Sequence, residues 1–412
     1  MDALELRYVQ RIRFTLGTVG AWPSHVFEDN PSKKWAVLRR YGYTSVLCIL
    51  CGFGMVAQAM YLKKYKSTLQ FINLGHTCLT LLMSCVFCQR TTLPLFRTYR
   101  ETMKDFFLRF HLSHHKYTSE FSLQTCNRVN RFCEIATIIQ HVQLYTAAFL
   151  FNTVQHYQNY KSGMFNSDKS NNGTYEHAVA YYLPFDQSTG VGFTVICIYN
   201  FYVSFNFSVI FCCHDLVICV IVFHIWGHMH IFEHDLNFFR RPNAVNGVES
   251  LKYSCEENIQ VALGLKEIVK RYIMIKEFLS NTSEAYSVTL CVYFGFHLVT
   301  DCVLLLECSS LDPTALGMYG MTTFVVYQLL IQLSVVFEII SSKGDALIDA
   351  VYGLPWECMD ISNRRTVLIL LQIVQQPLSL KACGMVPVGV QTMLTVIKAS
   401  FSYFMMLRTF AN

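Results

Sequence analysis

The 412-residue sequence predicts an all-α protein with seven membrane-crossing helices. Three observations carry that prediction. Charged residues make up 15% and hydrophobic residues 53% of the chain, where soluble domains hold roughly 25% charge. Seven apolar runs are long enough to cross a hydrocarbon core, which takes about 20 helical residues. The mean hydropathy is only +0.32, so long polar stretches remain outside the bilayer. The net charge of +5 is scattered and offers no basic run for nucleic acid.

Residues 1–42 are polar and aromatic, with cations clustered at Lys33, Lys34, Arg39 and Arg40. No apolar core precedes a small-residue cleavage site there, so insertion is expected to rely on the first spanning helix. That helix is expected at 43–62, before a tight Lys63-Lys64-Tyr65-Lys66 turn, and the second at 69–89. Residues 90–134 are charged with helical periodicity and read as a cytosolic extension of their neighbours. The third span is expected at 135–154, followed by a polar loop that ends in Tyr181-Tyr182-Leu183-Pro184.

The fourth apolar run, from 192 to about 222 and onward, is too long for one simple crossing and predicts a tilted helix projecting from the membrane. Residues 256–278 are charged and helical in pattern. They run into the fifth span, 285–306, with no Pro between them, so one long helix is expected to emerge from the bilayer. A short loop with Cys308 and Asp312-Pro313 precedes the sixth span, 316–340. Residues 341–386 form a cytosolic region with a Tyr352-Gly-Leu-Pro-Trp356 turn and an amphipathic stretch at 363–376. The seventh span is 389–408. The whole chain reads as one seven-span domain.

Lys and Arg orient these spans, because cytosolic flanks retain cations. With the N-terminus inside, the inner segments carry 26 of the 33 cations and the outer segments six; Lys398 lies within the last span. The N-terminus is therefore expected in the cytosol and the C-terminus outside. The sequon at Asn172 falls in the longest outer loop, which makes it the expected glycosylation site.

The last span is not uniformly apolar. Gln391, Thr395, Lys398, Ser402 and Thr409 fall at steps of four, three, four and seven, so they share one helical face. Polar residues on one stripe of a spanning helix face protein or water, since lipid would leave them unsatisfied. A packing seam and a water-filled pore both satisfy that condition.

Little in the chain points to catalysis. His230-x-x-Glu233-His234, preceded by His224 and His228, has the spacing of a metal-binding helix. It lies where the fourth helix leaves the membrane, and histidine and tryptophan suit that interface. Cys48-x-x-Cys51 and Cys85-x-x-Cys88 sit in apolar helices, where cysteine is a small packing residue. No phosphate loop, nucleophile elbow or carboxylate pair stands out, so neither an enzyme nor a cofactor is expected. Of the intramembrane ionisable groups His76, His297, Asp301 and Lys398, His297 and Asp301 are one helical turn apart and suit a structural hydrogen bond. Asp215 lies near the inner end of the fourth helix.

The Tyr181-Tyr182-Leu183-Pro184 loop, the Tyr352-x-x-Pro-Trp356 turn and the ending Ser402-Tyr403-Phe-Met-Met-Leu-Arg-Thr-Phe410, with an inward N-terminus, resemble an insect odorant receptor. The ending is also similar to that of gustatory receptors. Ser402 stands in place of their Thr, Thr409 in place of their Gln, and Arg408 interrupts the apolar series.

The resemblance implies a ligand-gated, non-selective cation channel in the plasma membrane of a sensory-neuron dendrite. An odorant-tuned subunit of this kind joins a shared co-receptor in a heterotetramer, and the last helices line the pore. Lys398 and Ser402 would then face the pore, with Met406 and Phe410 at a hydrophobic outer gate and Thr409 beside it. Tyr352 and Trp356 would belong to a cytosolic subunit anchor. A small volatile, mostly apolar ligand is implied among the outer halves of the second, third, fourth and sixth helices. Those segments offer Phe71, His76, Tyr145, Phe149, Tyr199, Tyr202, Met318, Tyr319, Met321, Phe324 and Tyr327.

Two other classes stay in view. A G-protein-coupled chemoreceptor would need the opposite orientation, and the chain has neither Asp-Arg-Tyr after the third span nor Asn-Pro-x-x-Tyr in the seventh. A small-solute transporter would rest on the few intramembrane ionisable groups.

Overall fold

The computed structural model describes residues 3–27, 41–69, 71–165, 175–243, 252–309 and 313–411. The sequon at Asn172 and the cations Lys33, Lys34, Arg39 and Arg40 lie outside the described residues. Ten helices of nine residues or more dominate what is described: α1 (Arg7–Thr18), α2 (Tyr43–Tyr65), α3 (Phe71–Thr92), α4 (Arg97–Asp105), α5 (Glu120–Lys161), α6 (Gly190–Asn237), α7 (Cys255–Cys308), α8 (Pro313–Tyr352), α9 (Ile361–Val374) and α10 (Val390–Ala411). Among the described residues, six helices are long and apolar enough to cross a membrane. The expected third span lies in α5, which is not one of them. Its Gln140 and Gln143 are instead spent on a glutamine ladder with α8: Gln143 donates to Gln328, Gln328 to Gln332 at 2.8 Å, and Gln332 to Gln140 at 3.4 Å. Such bonds satisfy polar side chains that lipid could not.

The long helices start where the local chemistry says they should. Ser119 accepts from Ser122 N at the start of α5, and Thr189 from Gly192 N at the start of α6. Ser254 and Glu257 form a reciprocal capping box at the start of α7. The expected continuity of residues 256–278 with the fifth span appears as one 54-residue helix. Cys308, expected in an outer loop, is instead its last residue.

α6 is the central helix: 89% of its most apolar stretch is buried, against 22% for α10. Its length buries apolar surface twice, against α3, α5 and α8 in one half and against α1 and the 97–115 segment in the other. Residues 90–134 are helical in pieces: residues 120–134 extend the third expected span within α5, and the stretch before them is broken. Pro94 ends the helical run behind α3, α4 is short, and a π-turn at Phe106–Phe110 packs its aromatic rings beneath α6.

Within residues 1–42, polar and aromatic in sequence, α1 is a packed helix. Tyr8, Val9, Ile12 and Leu16 of α1 are buried at helical spacing. The Tyr8 hydroxyl lies 2.7 Å from His111 Nε2 and 3.0 Å from His224 Nε2.

Arg90, read from sequence as a cytosolic flanking cation, is 1% exposed and pairs with Asp215 of α6 at 2.9 Å. Its guanidinium also donates to Phe211 O and lies 4.2 Å from the Phe211 ring centroid. Setting this residue aside leaves the charge bias in the same direction.

Between α9 and α10 a two-stranded hairpin pairs Lys381 with Pro387, its turn holding Gly384 at φ +69°, which glycine adopts freely. The hairpin is pinned to α7 by Lys381 N on Ser283 Oγ and Cys383 N on Ser287 O. α10 then begins on a carboxylate: Val390 N donates to Glu338 Oε2 of α8 at 3.0 Å. A negative group suits the positive end of a helix.

Candidate ligand cavity and pore helix

A cavity of about 260 Å³ lies inside the bundle, between the loop 175–189 and the Arg90–Asp215 pair. α3 contributes His76, Leu79 and Met83; α5 contributes Leu150, Phe151 and Gln155; the loop closes it with Val179 and Tyr181. α6 presents Asn200, Ser204, Phe207 and Phe211 at helical spacing, and α8 adds Val325, Val326 and Leu329. α7 completes the floor with Tyr293, Phe296 and His297. Apolar and aromatic walls with a few polar tips suit a small apolar ligand.

The expected ligand residues distribute unevenly around this cavity. His76 lines it, holding Ala178 O at 3.2 Å. Tyr202 lines a second, more open groove of about 450 Å³ between α5 and α6 and donates to the Tyr43 hydroxyl at 3.0 Å. On the rim of that groove, burial lowers the pKa of His177.

Tyr199 turns toward α2 instead, donating to Leu50 O at 2.7 Å across Gly54, where a Cβ would strike its hydroxyl. Tyr145, Phe149 and Phe324 are exposed on the outside of the chain, and Tyr327 is half-buried without lining the cavity. The side chains of Phe71, Met318, Tyr319 and Met321 lie outside the described residues.

The four expected helices do all contribute, but on neighbouring faces. On α6 the lining reaches below the outer half of the expected span, to Phe211 and Cys212. The contribution of α7 was not read from sequence. Its one signal in the sequence is the His297/Asp301 spacing, which equally suits a structural contact. Tyr181 belongs to the quoted Tyr-Tyr-Leu-Pro loop; its hydroxyl donates to Asn200 Oδ1 at 2.9 Å, tying the lid to α6.

The histidines of the apparent metal motif have separate partners. His228 lies 2.6 Å from Phe110 O, His234 stacks on Phe121, and Glu233 pairs with Lys343 of α8. His224 Nδ1 accepts from Leu112 N. No three His, Cys, Asp or Glu among the described residues are grouped to hold a metal ion.

α10 resolves one alternative about its polar stripe. Met393, Val396, Ser400 and Phe404 are buried on α7 and α8, and Ser400 Oγ donates to Leu298 O at 3.1 Å. Gln391, Thr395, Lys398, Ser402 and Thr409 lie on the opposite face, all exposed. The stripe is therefore no seam within this chain. Met406 is also exposed, and the Phe410 side chain lies outside the described residues. Tyr352 and Trp356 are 66% and 37% exposed beside α9, which presents Ile361, Leu368 and Ile369 outward.

A helical bundle with membrane-length apolar helices, a cavity within it and a polar face left open on its last helix is the architecture of a multi-pass membrane protein. The family model described as 7tm Odorant receptor matches residues 76–401, and the chain belongs to that family. Its fold is similar to that of the insect olfactory receptor OR5 from Machilis hrabei, with a TM-score of 0.76 at 15% identity over 99% of both chains. The structure of that receptor in complex with eugenol gives a TM-score of 0.78 at 14% identity, covering 99% of this chain and 100% of the other. No curated protein matches the chain. The protein is an odorant receptor, not an enzyme.

Proposed function

We propose that this chain is an odorant-tuned subunit that binds a small volatile, mostly apolar molecule in the bundle cavity. Binding opens a non-selective cation channel formed in a heterotetramer with a shared co-receptor. The N-terminus is cytosolic, the C-terminus extracellular, and the site of action the plasma membrane of a sensory-neuron dendrite.

The open polar stripe of α10 carries this reading. A lone subunit would present Gln391, Lys398 and Ser402 to lipid, and intramembrane polar groups face other protein or water. A central pore shared with other subunits supplies water to that face. The cavity and the buried face of α10 share α7 and α8, so a ligand that reshapes the cavity acts on the helices that hold α10.

The experiment is co-expression with the co-receptor and a panel of volatiles under voltage clamp. Ligand-evoked inward current that persists under G-protein blockade is expected. Current abolished by that blockade would favour the metabotropic alternative.

A further inference from the structure

The inner cavity is roofed by a loop that is tied down at several points. Tyr181 donates to Asn200 Oδ1 at 2.9 Å, and Gln187 Nε2 donates to Tyr181 O at 2.8 Å. Tyr182 N donates to Ala57 O at 3.1 Å, and His76 holds Ala178 O. Lifting this roof would break each of those bonds and strand the polar groups they satisfy.

The side wall is different. The open groove of about 450 Å³ and the inner cavity are both lined by Gln155 of α5 and Asn200 of α6, so these two residues form the partition between them. Asn200 is held by Tyr181. Gln155 is 6% exposed, yet its Oε1 has no hydrogen-bond partner among the described residues. An amide carries a donor and an acceptor whichever way it is turned, and native structures leave few such groups buried without a partner. Swinging Gln155 aside breaks no bond to that oxygen. Beyond it the groove offers Ile198, Phe201, Tyr202 and Phe205 along α6, an apolar surface that suits an apolar volatile.

We infer that the groove is the entry vestibule for the volatile and that Gln155 is the gate through which it passes into the inner cavity. This inference rests on the proposed ligand-gated channel and adds the ligand's route to it. A gate changes entry and exit by the same factor, because both directions cross one barrier, and it leaves equilibrium occupancy unchanged. A residue that only contacts the bound ligand acts mainly on its departure and shifts the affinity. The two roles are therefore separable by kinetics.

The test uses the panel volatile that evokes the largest current, applied in concentration steps to this chain co-expressed with the co-receptor. Current onset, washout and half-maximal concentration are read. Gln155→Ala is expected to speed onset and washout together by roughly threefold to tenfold, with the half-maximal concentration moved by less than about twofold. Gln155→Trp should slow both by a similar factor. Benzyl methanethiosulfonate supplies an independent plug. Cys197, a half-buried residue of the groove, takes its benzylthio group as a mixed disulfide and releases methanesulfinate. That adduct should slow onset and washout in the unmodified chain but not in Cys197→Ser. A shifted half-maximal concentration with onset unchanged in the Gln155 variants would make Gln155 a ligand contact and overturn the inference. So would kinetics unmoved by a Cys197 adduct that mass spectrometry confirms. In either case currents persist and the channel reading stands. Silence toward every volatile from an unmodified pair delivered to the cell surface would overturn the channel reading, and this inference with it.

Discussion

At the scale of single residues, the Arg90–Asp215 pair is the most exposed dependency in the bundle. Both side chains are almost fully buried, and removing one partner of such a pair strands the other charge at a cost of roughly 3–5 kcal/mol. Arg90→Leu is expected to lower surface expression and thermal stability sharply. The double variant with Asp215→Leu should recover most of the loss, because a buried pair replaced by apolar side chains is close to neutral. A detergent thermal-shift series on the three variants measures both effects. The sequence could not show this pair. Arg90 sits at the end of an apolar run, where a flanking cation and a buried partner look the same until the opposing helix is placed.

His111 gives a second expectation. Burial, with His114 and His228 nearby, pushes its pKa down to about 3, while the unfolded chain titrates near about 6.5. Between those values the unfolded state binds the extra proton, so stability holds above about pH 6.5 and declines as pH falls toward about 3. Unfolding midpoints measured across that range should fall with acid, and His111→Phe should flatten the slope.

At the scale of elements, α10 divides its labour cleanly between two faces. Phe404 packs against Cys302 and Leu306 of α7, whereas Lys398 stands on the open polar face. Lys398→Gln is expected to raise conductance or cation permeability, because a cation in a cation path repels permeant ions. Single-channel recordings against an unchanged Phe404 decide it, and an unchanged current would place Lys398 against a neighbouring subunit instead. This stripe was legible because polar residues in an apolar run carry a phase. The cavity faces were not. In a membrane helix the lipid side and the packed side are equally apolar, so nothing in α5 distinguishes exposed Phe149 from cavity-lining Phe151. The contributing helices could therefore be read from sequence, but the inward-facing side chains could not.

For the whole molecule, the order of apolar runs gave the order of long helices, since length and hydropathy are additive along the chain. α1 and the hairpin before α10 are not legible in the sequence because both are short and owe their form to tertiary contacts such as Tyr8 with His111 and Lys381 with Ser283. The proposed orientation is checked by epitope tags: one at Met1 should be reached by antibody only after permeabilisation, and one after Asn412 on intact cells. The opposite pattern would invert the topology.

The length of α7 has a mechanical consequence. At 1.5 Å per residue its 54 residues span ~80 Å, while the hydrocarbon core is ~30 Å thick. One end of the helix forms the cavity floor and packs on α10, and the other ends at the Ser254 capping box. A tilt of about 2° about one end displaces the other by about 3 Å over ~80 Å of rigid helix. A movement too small to see as a rearrangement around a volatile molecule becomes, at the far end of the rod, a displacement the width of a water molecule.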